Sequence, residues 1–426
     1  MRVIVIGNGI AGVNAASACK GVGGEAVTVD IYSAERHPFY SRVRLPEVLS
    51  GESAPGEITF YKDDWYEKKG IAVHTGVEAL SIDRPSKAIV LADGSRVSYD
   101  YLILATGASS NRPPIPGADL RGVFTMRTLE DVAAIRENLA AHPESASVIG
   151  GGLLGLEAAR ALKTAGARSV RVFELFPRLL PRQLDDAGAA LLRERFGEMG
   201  IDVVCGAETE ALLPVDGARA LSIALKDGRS FASDTTILSM GVHSNTGLAA
   251  SASLAVKRGI VVDRQMRTSD PFIFAVGDCA EFDGIVWGII PAALEQAPVA
   301  ARAILADASI IPASESPCYV QTVPKTALKI GGIELMSLGK AVLSPEEDAS
   351  GRYTVRTRVW EGGLRYEKYV LAPAEPSSAS PVSPASVGEL HLVGAILYGS
   401  KANQSKVQKL MGKPATEGEI DALLAD

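Results

Sequence analysis

Cysteine is scarce in this sequence: four occur in 426 residues, Cys19, Cys205, Cys279 and Cys318. They lie far apart and none forms a C-x-x-C, so the usual local signature of an iron–sulfur or zinc site is missing and no metal residue is assigned. A buried thiol is the ordinary role for each, and together they fit a reducing cytoplasm. No apolar run approaches the length of a membrane-spanning helix, so no membrane segment is expected. The first apolar run, VIVIG, starts at residue 3 and is too short for the core of a signal peptide. There is no dense Lys/Arg run and the net charge is −7, which gives no electrostatic case for nucleic acid.

What is present is ordinary for a globular protein, with 47% apolar and 22% charged residues. The length suggests two or three domains. RVIVIG (2–7) reads as a buried strand, followed by a helix through AGVNAASACKG and a second strand, AVTVDIY. ASVIGG (146–151) starts a second such unit, with helix LLGLEAARALKTAG and strand SVRVFEL. Two strand–helix–strand units predict two doubly wound domains. YDYLILATGASS and FIFAVGDCAEF each read as a strand ending in a small-residue turn. After about residue 312 the pattern becomes that of an antiparallel sheet. The Pro/Ser-rich stretch 372–389 reads as a mobile hairpin connection, and the tail after it as helices broken at Gly-Lys-Pro.

The first unit carries G-x-G-x-x-G at Gly7, Gly9 and Gly12. In a strand–turn–helix setting these glycines allow a tight turn, close approach of a pyrophosphate, and close helix packing. An acid should then hold the ribose, and Asp30 and Glu35 compete for that role. Asp30 has the more usual spacing, but the apolar run continues past it through Ile31 and Tyr32, which favours Glu35. The second unit repeats the motif at Gly150, Gly152 and Gly155, with Glu174 at the end of SVRVFE. A carboxylate there accepts from a ribose 2′-hydroxyl and repels a 2′-phosphate, so NADH is favoured over NADPH. Arg178 argues weakly the other way.

With both motifs, ATG at Ala105, Thr106 and Gly107, and AVGD ending in Gly277 and Asp278, the chain resembles the pyridine nucleotide–disulfide oxidoreductase superfamily. The resemblance implies an α/β chain: an FAD domain in two parts (1–110 and 241–311), an NAD domain between them (111–240), and an α+β C-terminal interface domain (312–426). It implies FAD and NAD as cofactors. Further positions carried by the resemblance are Ala11 and Leu154 in the glycine motifs, Ala79 beside adenine, and Arg42 toward the pyrophosphate or an acid. Gly241 lies in the return to the FAD domain, Pro291 at a helix start facing the flavin, and Glu157 beside the nicotinamide, in the first turn of its helix. Thr326 and Lys329 resemble a pair near the flavin edge.

YSRVRLPEVL and PKTALKIGGIELMSLG resemble NADH:rubredoxin reductases, and IIPAALEQAPVAA resembles the flavin half of the NADH-dependent nitrite reductase large subunit. Two departures stand out. Ring-hydroxylase reductases of the superfamily carry a lysine where this sequence has Glu47, and no siroheme or cluster-binding module follows the flavin half. The expected function is FAD-dependent transfer of electrons between NADH and a separate carrier, such as rubredoxin, ferredoxin or another iron–sulfur protein or subunit. The chain would work alone or within a larger complex, and in either direction. A non-enzymatic flavin scaffold or sensor is the alternative. A thiol or disulfide reductase ranks below it, since no cysteine stands at the matching position in FYSRVRLPEVLSG.

Overall fold

The computed structural model describes residues 1–215, 221–322, 325–330, 332–373 and 390–425. Three five-stranded sheets organise it. The first is parallel, in the order Ile273–Ala275, Tyr101–Leu104, Arg2–Ile6, Thr28–Ser33, Ile71–Thr75. Its central strand is fully buried from Val3 to Val5, as an apolar run flanked on both sides demands. The helices Ile10–Gly23 and Ile290–Asp307 pack against each other, bringing the two ends of this unit together. The first helix runs on to Gly23, two residues past the AGVNAASACKG read as helical.

The second sheet repeats the arrangement as Ile201–Cys205, Ser169–Glu174, Ser145–Ile149, Thr235–Leu238 and Val123–Phe124. The chain passes between the two units on a short antiparallel pair, Ala108–Ser110 against Val242–Ser244. Asn111 N–H donates to the Gly241 carbonyl beside that pair, and Gly241 takes φ +81, a conformation glycine adopts without strain.

The third sheet is antiparallel, ordered Lys325–Ile330, Ile333–Gly339, Leu390–Tyr398, Tyr366–Pro373, Thr354–Val359. Two helices, Gln404–Leu410 and Glu417–Ala425, follow it. The expected Pro/Ser loop begins later than its composition suggested. Ala372 and Pro373 still pair with His391 and Leu390, and residues 374–389 lie outside the described residues. Thr326 and Lys329 fall on a strand whose side chains are likewise outside them. No helix among the described residues is long and apolar enough to cross a membrane.

Candidate functional site

The two glycine loops have the same construction. Gly7 takes φ +113, and a Cβ there would stand 2.1 Å from the Ala105 carbonyl oxygen. A Cβ on Gly12 would stand 2.0 Å from Gly7 O. Gly150 takes φ +114 against Ser239 O at 2.2 Å, and Gly155 would meet Gly150 O at 1.9 Å. These four glycines are therefore fixed by backbone contact. Gly9 and Gly152 differ: a Cβ on either meets nothing within 4 Å. Each is the residue preceding its helix, where backbone N–H groups and the helix dipole favour an anion. Open space at that position in both loops fits a dinucleotide pyrophosphate.

Asn8 strengthens the fit at the first loop. Its side chain is buried and its Oδ1 accepts from Tyr66 OH at 3.0 Å. Its Nδ2 is buried with no hydrogen-bond partner, a costly state that a ligand oxygen would relieve. Asn8 and Gly9 line one cleft with Ser33, Glu35, Tyr40 and Arg42.

Asp30 and Glu35 have different surroundings. Asp30 is buried in mid-strand, accepting from Arg2 Nε at 2.9 Å and facing His74 Nε2 at 3.5 Å. Glu35 lies two residues past the strand end, in the cleft. It pairs with the Arg42 guanidinium and accepts from Tyr40 OH at 2.5 Å. Burial pushes the Tyr40 phenol well above its ordinary value. Arg42 also donates to Tyr40 OH at 3.1 Å and to the Arg127 carbonyl at 2.7 Å. The segment leading to Ala79 runs alongside, with Gly76 N–H on Glu35 O and Val77 N–H on Ser33 O, both at 2.8 Å.

Against the first helix, Gly277 takes φ +78, and a Cβ there would stand 2.6 Å from Ala11 Cβ. Its N–H donates to buried Gln296 Oε1 at 2.8 Å, which seats the helix containing Pro291 on the Gly-Asp turn. Asp278 accepts from Arg127 at 3.0 Å. Thr106 and Asn245 hold each other by Oγ1 to O at 2.7 Å and Nδ2 to O at 2.9 Å, and Gly107 takes φ +69 beside them.

In the second unit, buried Glu174 accepts from Gly151 N–H at 2.6 Å and Phe176 N–H at 2.9 Å. The strand end and the glycine loop are thereby tied by one carboxylate. Arg178 turns away into its own loop, donating to Leu184 O at 3.1 Å and Asp186 at 3.1 Å. Leu154 is exposed in the first turn of the helix. Glu157 is not in that turn: it is the fifth residue of Leu153–Thr164, so a capping role is excluded. Its Oε2 stands 3.7 Å from Arg160 Nε. Glu47 pairs instead with Arg44, at 2.7 Å, and Ser53.

Two of the thiols are closed off by burial. Cys19 is wholly buried, and burial pushes it up to about 12. Cys279, just after Asp278, is buried against the Leu104 and Val276 carbonyls, and burial again raises it. Neither is a ready thiolate at neutral pH. No group of three or more His, Cys, Asp or Glu residues fit to hold a metal occurs among the described residues.

Asn8, Arg127, Gln296 and Arg160 were not singled out from sequence. Asn8 stands inside the glycine motif and could have been. Asp278 and Glu52 lie too far along the chain from Arg127 and Arg160 for any local signal.

The family model described as pyridine nucleotide-disulphide oxidoreductase matches residues 1–303. The assimilatory nitrate reductase electron transfer subunit of Bacillus subtilis is 38% identical over 340 residues, covering 80% of this chain and 42% of that protein. The NAD(P)H nitrite reductase of the same organism is 34% identical over 425 residues, covering 99% and 48%. The chain thus spans less than half the length of these curated relatives. The crystal structure of NADH:rubredoxin oxidoreductase from Clostridium acetobutylicum superposes with a TM-score of 0.75 at 26% identity, covering 100% of this chain and 99% of that one. The matched region holds both glycine loops and the Gly-Asp turn, and the chain belongs to the pyridine nucleotide-disulphide oxidoreductase family.

Proposed function

We propose that this chain moves electrons between NADH and a separate iron-containing electron-transfer protein or subunit, with FAD at the first glycine loop and NAD(H) at the second. The observation that carries this reading is the pair of open loop positions, Gly9 and Gly152, on two parallel sheets of one chain. The buried, protonated state of Cys19 and Cys279 favours it over a thiol or disulfide reductase. The names of the relatives point the same way: one is an electron transfer subunit and another reduces rubredoxin.

When bound, FAD supplies the exchange between two-electron hydride chemistry and single-electron transfer. The chain's part is to bind, align and polarise. The Gly7–Gly12 loop and the helix start at Ile10 receive the pyrophosphate, with Asn8 Nδ2 as a further donor. Glu35 accepts from the adenosine ribose and Arg42 balances its charge. Asp278 accepts from the ribityl hydroxyls while Arg127 orients it. The start of the helix carrying Pro291 turns its positive end toward the flavin, which favours negative charge there. Glu174 accepts from the ribose of NADH, and Arg178, bound to Leu184 O and Asp186, is not turned toward a 2′-phosphate. Glu157 faces the nicotinamide. A reducing compartment such as the cytoplasm suits four free cysteines.

Anaerobic mixing of the flavin-loaded protein with NADH tests the reading. NADH should bleach the flavin, and rubredoxin or ferredoxin should restore its colour; reduced ferredoxin with NAD⁺ probes the opposite direction. Failure of both NADH and NADPH to bleach overturns the function, and bleaching by NADPH alone overturns the cofactor assignment. Bleached flavin that persists with every one-electron acceptor favours the scaffold or sensor reading.

A further inference from the structure

The two glycine loops differ at their middle position. The first holds Asn8 between Gly7 and Gly9, and the second holds Gly151 between Gly150 and Gly152. At Gly151 a side chain is shut out: a Cβ would stand 2.7 Å from Leu179 Cδ2 and 2.9 Å from Glu174 Oε2. The Gly151 N–H is itself spent on Glu174, at 2.6 Å. In the first unit the acid, Glu35, is held by Arg42 and Tyr40 instead, and an amide side chain stands at the matching place.

Asn8 is only 8% exposed, yet it lines the cleft. Its amide has two unlike ends. Oδ1 accepts from Tyr66 OH at 3.0 Å, and Nδ2 is buried with no hydrogen-bond partner. Turning the amide over would replace the accepting oxygen with an NH2 group, and the Tyr66 proton would lose this acceptor. Tyr66 reaches the loop from the helix Asp63–Lys69, 58 residues along the chain, and is fully buried. Its oxygen also accepts from Phe39 N–H at 3.3 Å, and Phe39 lines the same cleft. One hydroxyl therefore fixes both the Asn8 amide and the backbone at Phe39. A donor held in place before its ligand arrives costs no reorientation on binding, and a phosphate oxygen makes its hydrogen bond charge-assisted.

We propose that Tyr66 is a positioning residue that holds the Asn8 amide with Nδ2 toward the FAD pyrophosphate, and that this side-chain donor, for which Gly151 gives the second loop no counterpart, makes the first loop the tighter holder of its dinucleotide. This rests on the proposed placement of FAD at the first loop. Removing Asn8 should loosen FAD and leave the second loop as it is. Removing the Tyr66 hydroxyl should loosen FAD through Asn8 and not beyond it.

The test follows FAD release from the loaded protein on dilution, by flavin fluorescence, beside phosphorus NMR of the bound FAD. Asn8→Gly, which copies the second loop, should speed release by about tenfold or more, the value of one hydrogen bond to a charged group. Tyr66→Phe should speed it by roughly threefold or more and should move the same pyrophosphate resonance that Asn8→Gly moves. The double variant should release FAD no faster than Asn8→Gly alone, because Tyr66 acts through Asn8. Asn8→Asp keeps an oxygen for Tyr66 but turns a second oxygen on the phosphates, and should release FAD faster than Asn8→Gly. NAD⁺ affinity, titrated calorimetrically with FAD in excess, should stay unchanged in each variant. Unmoved phosphorus resonances in Asn8→Gly and Tyr66→Phe, losses that add in the double variant, or NAD⁺ affinity that falls in parallel with FAD overturns the proposal. So does Asn8→Asp that holds FAD as well as Asn8→Gly, a comparison that stands even if Tyr66→Phe does not fold. An unaltered protein that retains no FAD overturns the FAD reading beneath the proposal, and the proposal with it.

Discussion

Arg127 Nη2 lies 3.0 Å from Asp278 Oδ2, joining the start of the second unit to the Gly-Asp turn of the first across 151 residues. The same arginine donates through Nε to Ala108 O at 3.1 Å, and its carbonyl accepts from Arg42. The Gly-Asp turn, the strand Ala108–Ser110 and the segment carrying Arg42 thus meet on one residue. Asp278→Ala removes a cofactor acceptor and leaves Arg127, only 22% exposed, without its ion partner. Flavin affinity should fall by about tenfold or more, given a charged hydrogen bond worth roughly 1.5–3 kcal/mol. Fluorescence of released flavin on dilution measures this, and Asp278→Asn should fall between.

The glycines of one motif should fail in different ways. Gly12→Ala places a methyl 2.0 Å from Gly7 O and should destabilise the fold by at least about 1–3 kcal/mol. Gly9→Ala meets nothing within 4 Å and should leave the melting temperature of flavin-free protein unchanged while weakening FAD binding. Gly155→Ala and Gly152→Ala should repeat the contrast for NAD. Thermal melting beside cofactor titration separates the two effects.

Glu174→Ala should narrow the preference for NADH over NADPH by about tenfold, the value of one or two hydrogen bonds to a charged group. Comparing flavin reduction rates with the two dinucleotides reads this directly. Arg178→Ala should leave the preference nearly unchanged, because its guanidinium is already spent on Leu184 O and Asp186.

Asp185 links the third sheet to the second unit and carries an acid dependence. Its Oδ1 caps the helix Asp186–Glu198 at Gly188 N–H, 3.1 Å, and its Oδ2 accepts from Tyr366 OH at 2.6 Å and Lys368 Nζ at 2.9 Å. Burial works to raise this carboxyl, but the bonds from Tyr366, Gly188 and Lys368 outweigh it and hold the group below its ordinary 3.8. A lowered folded-state value means the stabilisation is present above pH 3.8 and is lost as pH falls through the folded value. Asp185→Asn should cost roughly 1.5–3 kcal/mol at neutral pH. Denaturant melts should show the difference from the unaltered protein shrinking toward acid pH.

Thiol alkylation at neutral pH should modify exposed Cys318 first and leave NADH-dependent flavin bleaching intact. Cys19 and Cys279 should react only on unfolding, because burial keeps them protonated and inaccessible. Mass spectrometry of the alkylated chain reports the order.

Much of the fold was legible because its decisive signals are local. A strand, a glycine turn and a helix lie within some twenty residues, and their spacing alone predicts both loops. The choice of Glu35 over Asp30 likewise drew on a local cue, the apolar run continuing to Tyr32, and the structure places Asp30 in mid-strand with Arg2. The helix start at Leu153 was read correctly, but Glu157, its fifth residue, was placed in the first turn and lies just beyond it. The start of the Pro/Ser segment was misread because Ala372 and Pro373 are held in a strand by pairing with residues beyond the segment.

The sequence by itself determined that two nucleotide-binding units share this chain, since each unit's chemistry is carried by backbone freedom at fixed short spacings. Only the tertiary structure decided which charges meet. Arg127 finds Asp278 and Arg160 finds Glu52 across 151 and 108 residues. No spacing rule connects such residues: an ion pair depends on a few ångströms of separation, and those are set by how whole units pack, not by order along the chain.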